Sequence, residues 1–118
     1  MIGKLILELF HSRTAAHVLH LKTRSYAAHK ALNEFYDGIV GLADDLAEAW
    51  QGEYGLIQWE KTEPYTLPTD AVAMLDDLRE CVDECSKEFH KEDTHLHNIA
   101  DEIRALIAST LYKLKFLK

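Results

Sequence analysis

The chain has 118 residues, 47% of them hydrophobic, and no apolar run near the roughly 20 residues a membrane span needs. That length suits one domain, 1–118, with enough apolar side chains to bury a core, which excludes separate cofactor and substrate lobes and wholesale disorder. Thirteen Lys and Arg against twenty Asp and Glu give a net charge of −7, which repels a phosphate backbone and argues against nucleic acid as a partner.

The stretch Met1-Ile2-Gly3-Lys4-Leu5 is followed by Glu8, so it lacks the unbroken apolar segment of a secretory signal. Cys81 and Cys85 are too few and too close to form a disulfide framework, which points to a reducing, cytoplasmic setting and no membrane partner. The pattern predicts four helices at about 2–24, 26–52, 69–91 and 94–116, joined in the middle by a long connection over 53–68.

In the first helix Ile2, Leu5, Leu9, Ala16 and Leu19 make one apolar face, and Leu7, Phe10, Val18 and Leu21 make a second. A bundle covers only one such face, so a homodimer or larger homo-oligomer through helices one and two is expected. The second helix carries Ala28, Leu32, Phe35, Ile39, Leu42, Leu46 and Trp50 on its core side, puts Asp44 and Glu48 nearly opposite, and meets Gly52 as its expected stop.

The connection holds Tyr54, Trp59 and Tyr65 and is long enough to cross a bundle. In the third helix Ala71, Met74, Leu78, Cys81, Cys85 and Phe89 recur at three- and four-residue steps, with Thr69 as the expected N-cap. The fourth helix repeats the pattern from Leu96 to Leu117, opened by Asp93-Thr94 and closed by Lys113, Lys115 and Lys118 at the negative end of its dipole. An all-α, ferritin-like four-helix bundle with a long crossover between helices two and three follows.

All seven histidines fall in two clusters: His11, His17, His20 and His29 about the first hairpin, and His90, His95 and His97 about the second. Imidazole nitrogen with carboxylate oxygen is a donor set for iron or zinc. His17, His29, Asp44 and Glu48 have that chemistry, whereas His20 lies nearer the core and reads as a packing residue. Glu8-x-x-His11 and Glu92-x-x-His95 copy a di-iron ligand step but sit near helix ends without a partner acid. Cys81 and Cys85 read as core thiols, and the acids between Asp76 and Glu88 as a solvated face.

The spacing His17, His29, Asp44, Glu48 resembles the ferroxidase pattern His-x11-His-x14-Asp-x3-Glu of the Dps-like mini-ferritins. The segment His17-Val18-Leu19-His20-Leu21-Lys22-Thr23 is also similar to that family's first helix. The resemblance implies iron as the metal, a possible ferroxidase, and a site whose histidines come from one subunit and whose acids come from its partner. Val18 stands where the family has tryptophan, and no lysine-rich tail for DNA is present.

A second register aligns Leu32-Asn33-Glu34-Phe35-Tyr36 with the family's Leu-His-Glu stretch, placing Ala27, Asn33 and Gly52 at ligand positions, so that the metal site is lost. The runs Ser12 to His20, Ala31 to Asp37 and Leu46 to Gly52 are similar to an uncharacterised family of small tailed-phage proteins. That resemblance implies a viral protein acting in a bacterial cytoplasm, and the second register with the acidic surface gives the alternative function: a non-enzymatic helical phage protein binding a host factor or a small molecule.

Overall fold

Each apolar stripe becomes an α-helix in the computed structural model, which describes residues 1–59 and 64–117. The helices are α1 Ile2–Lys22, α2 Tyr26–Tyr54, α3 Ala71–Ser86 and α4 Thr94–Phe116. Residues 60–63 of the connection and Lys118 of the closing lysines lie outside the described residues.

Three boundaries differ from the sequence expectation. α2 runs past Gly52 and stops at Gly55, whose φ of 90° is a backbone state that costs glycine little. α3 begins after Asp70, not Thr69: the Asp70 carboxylate accepts from the Val72 and Ala73 amides at 3.0 and 3.3 Å. α3 also ends at Ser86, five residues before the expected 91. The Glu88 amide donates to the Cys85 carbonyl and the Phe89 amide to the Ser86 carbonyl, so tight turns return Phe89 to the core. Phe89 therefore keeps the helical periodicity in the sequence without being helical.

α1 and α4 each pack against both α2 and α3, which makes the ring order α1, α2, α4, α3. Gly38 faces Leu106 while Glu34 meets Lys113, so α2 and α4 are antiparallel. α1 is antiparallel to α2, because His20 near its end touches His29 near the start of α2. It is antiparallel to α3 as well, since the charges of Glu8 and Lys4 act on Cys81 and that of the N-terminus acts on Cys85, one turn later in α3. α2 and α3 thus point the same way, and the connection must travel back along the bundle, as in the ferritin-like topology. α2, with 29 residues, is about 43 Å long by its helical rise and spans the 44 Å long axis.

The centre is filled by Leu5, Ile6, Leu9, Phe35, Ile39 and Leu46 from the first hairpin and Leu75, Val82, Leu96, Ile103 and Ile107 from the second, all buried. Burying each such side chain removes about 1.5–3 kcal/mol of unfavourable hydration. The second apolar face of α1 is partly covered within the chain. A Cβ on Gly3 would lie 3.2 Å from the Gln58 carbonyl, so the crossover presses directly on α1 there, and half-buried Leu7 lines a groove shared with Pro64 and Tyr65. Phe10 packs at the core margin, while Leu21 remains 72% exposed.

Candidate functional site

The turn Thr23–Ser25 sets the α1–α2 hairpin, with the Ser25 hydroxyl accepting from the Ala28 amide at 3.2 Å. It brings His20 opposite His29. The His20 Nδ1–H donates to the His29 carbonyl at 2.7 Å, and the His29 Nδ1–H donates to the His20 carbonyl at 2.9 Å. A carbonyl only accepts, so both Nδ1 atoms carry protons and each neutral ring keeps its lone pair on Nε2. The two rings stack with centroids 3.6 Å apart. His20 is 7% exposed, in keeping with its expected packing role.

His17 stacks on Tyr36 at 4.3 Å and stands edge-on to His20 at 5.8 Å. Tyr36 was not foreseen from the sequence, and it holds this group together. Its hydroxyl donates to Asn33, and the Arg13 guanidinium lies 5.8 Å from its ring centre. His17, His20 and His29 thus form one imidazole cluster. Asp44 and Glu48 lie elsewhere, fifteen and nineteen residues beyond His29 on the same helix, which separates Asp44 from His29 by about 22 Å along the axis. No single copy of the described chain joins the histidines to the acids.

The acids do form a group of their own. Asp44, Asp45 and Glu48 each offer a carboxylate oxygen, these oxygens lie within 4.8 Å of one another, and all three residues are exposed. Asp45 escaped the sequence reading, although its three-residue step to Glu48 places the two side chains on adjacent turns of one face. An oxygen-only set of this kind suits a hard cation such as Mg²⁺, Ca²⁺ or Mn²⁺, and added imidazole nitrogen shifts it toward iron. The bundle is therefore able to hold a metal ion on α2.

Several other polar groups are otherwise engaged. His95 pairs with Glu53 at 3.0 Å, not with Glu92, and His11 meets Tyr65 edge-on at 4.3 Å. Burial pushes the Cys85 thiol up to about 11 and also raises Cys81, so neither is a ready thiolate ligand. Asp93 precedes α4 but does not cap it with its side chain. Its carboxylate accepts from the Tyr54 hydroxyl, and that bond, with burial, pushes Tyr54 up to about 12.

A family model matches residues 20–114, most of the chain. The chain belongs to a family of unknown function, DUF5856. His20, His29, Asp44 and Glu48 lie inside the matched span and His17 just before it. No curated protein and no solved structure matches the chain. The four-helix architecture itself is consistent with the ferritin-like superfamily at large.

Proposed function

We propose that this protein binds iron, with His17 and His29 of one subunit and Asp44 and Glu48 of its partner as ligands, in the manner of a Dps-like ferroxidase. The observation that carries the reading is the convergence of Asp44, Asp45 and Glu48 on one exposed face. Their mutual repulsion is relieved most directly by a cation.

The register of the hairpin supports a shared site. His20 is level with His29, so His17 stands about one turn further along, near residue 32 of α2. A twofold axis crossing α2 near Gly38 would bring Asp44 level with the other copy's His17 and Glu48 level with its His29. The outer face of this hairpin also carries Leu21, 72% exposed, and Val40, 39% exposed, as apolar material for such a contact. The Nδ1–H bond from His29 to the His20 carbonyl leaves Nε2 as its ligating atom, the usual way an imidazole is oriented for a metal. Iron is the substrate here: dioxygen or peroxide would take its electrons, while the chain supplies two nitrogens and the carboxylate oxygens.

Anaerobic Fe(II) titration followed by air tests this, comparing wild type with Asp44→Ala plus Glu48→Ala. Wild type should bind Fe(II) and raise ferric absorbance faster than buffer, and the double variant should do neither. Equal binding by both proteins would overturn the reading. A second reading is favoured by the reciprocal His20–His29 bonds, which give those imidazoles a structural task. In that reading the protein is a non-enzymatic helical binder, and its exposed α3 acids Asp77, Glu80 and Glu84 meet a basic host target. Metal-free purified protein that forms a stoichiometric complex with such a target would select it.

A further inference from the structure

The crossover does not lie flat on the bundle. Between it and the α1/α3 seam runs a groove of 620 Å³, within the range of small-molecule sites. Its apolar lining comes from Leu7 of α1, Met74 and Leu78 of α3, and Pro64 and Pro68 of the crossover. The Tyr65 ring stands over it, held edge-on to His11 at 4.3 Å. Along α1 the lining runs from Lys4 to Ser12, about 12 Å by the helical rise, which gives an elongated slot.

Charge decides what such a slot accepts. Glu8 of α1 and Asp77 of α3 line it from opposite helices, and neither has an ion-pair or hydrogen-bond partner among the described residues. Lys4 is the lone cationic side chain in the lining and likewise carries no ion pair there. Two groups inside the groove report which sign prevails. Burial is the main cause raising the Tyr65 hydroxyl, and the charge of Glu8 raises it further. At the Cys81 thiol burial again leads, followed by Glu8, whose upward push exceeds the downward pull of Lys4. The lining carries a net negative charge, so a carboxylate or phosphate would enter against Glu8 and Asp77.

We propose that this groove is a binding site for an organic cation with a hydrophobic body, an aryl- or alkylammonium. Its ammonium lies between Glu8 and Asp77, and its apolar part rests on Leu7, Met74 and Leu78 beside the Tyr65 ring. The site shares no residue with the iron site proposed above and stands or falls separately from it.

Phenethylammonium, with phenylacetate as its anionic counterpart, tests the proposal on the full chain by calorimetry and by NMR of the aromatic side chains. Saturable one-to-one binding of the cation is expected, with shifts at Tyr65 and His11, weakened by added salt and at least tenfold tighter than phenylacetate. Glu8→Gln and Asp77→Asn should each weaken it by about twofold to fivefold, the value of a solvent-exposed ion pair. Leu78→Ser should weaken it through the apolar floor, and circular dichroism verifies that each variant is folded. Equal binding of the two probes, no saturable binding of either, or binding unchanged in the folded Glu8→Gln, Asp77→Asn double variant would overturn the assignment.

Discussion

The two hairpins of this bundle close in different ways. α1 and α2 meet across a turn of three residues, locked by a half-buried imidazole pair in which each ring bonds the other residue's carbonyl. α3 and α4 are separated by the longer segment 87–93 and tied at their flank by Arg104, which donates to Asp83 at 2.6 Å, Asp101 at 2.8 Å and Ser86 at 2.5 Å. The first device joins imidazole N–H groups to backbone carbonyls, contains no ion pair and is nearly indifferent to salt. The second works through charges that are a third to two-thirds exposed, where screening is strong. One hairpin is therefore held by shape and local bonding, the other partly by electrostatics.

The strongest way to break both hairpins together is through the core they share. Phe35 is fully buried at the centre, and Phe35→Ala should cost about 3–5 kcal/mol. A single cooperative urea transition shifted to lower midpoint is expected. Two separate transitions would show that the hairpins do not share one core. Next comes the imidazole lock. His20→Ala removes a buried ring and the bond to the His29 carbonyl, for a loss of about 2 kcal/mol. Hydrogen exchange should accelerate around residues 19–30 before it changes in α3 and α4. Smaller again, Arg104→Met should cost about 1 kcal/mol at low ionic strength, and the difference from wild type should shrink in concentrated salt. If salt left that difference untouched, the contrast between the hairpins would be wrong.

This contrast also explains what was legible in the sequence. Helical periodicity is a local signal, so four helices and the crossover could be read from residues such as Leu32, Phe35 and Ile39, whose spacing alone places them inside. Phe89 shows the limit: its spacing fits a helix equally well when a turn delivers it to the core. His20 could be assigned to packing from its position on the wheel, but its partner could not, because the bond to His29 depends on where the turn reverses the chain. Tyr36 stacks on His17 from another helix, and Tyr54 reaches Asp93 across thirty-nine residues, so no spacing rule signals either pair. Of the candidate ligands, Asp44 and Glu48 were seen as one outward face, and Asp45, which completes the group, follows from the helix step. The imidazoles and the acids remain on separate stretches of one chain, about 22 Å apart along α2 between His29 and Asp44.

The mildest test acts only at alkaline pH, on Cys85 of α3 and on the Tyr54–Asp93 bond that ties α2 to the start of α4. Cys85 is raised from 9.0 to about 11, mainly by burial, and Tyr54 from 10.0 to about 12, mainly by its bond to Asp93. For an acid raised in the folded state, that state holds its proton more tightly than the unfolded chain does. The stability it contributes is complete below the unfolded value and is lost as pH rises through the folded one. Cys85 therefore sets a window of about pH 9 to 11, and Tyr54 one of about pH 10 to 12. Wild type should hold a flat midpoint of unfolding up to pH 9 and lose stability progressively beyond it. Tyr54→Phe cannot ionise and loses the bond to Asp93, so its midpoint should lie below wild type near neutrality, and the gap should close between pH 10 and 12. Since Tyr54 anchors Asp93 at the start of α4 and Cys85 lies in α3, exchange should open first in 85–96, with the His20–His29 hairpin still closed. An alkaline transition that opened the first hairpin first, or that Tyr54→Phe left unaltered, would remove these two groups from the account of what holds the second.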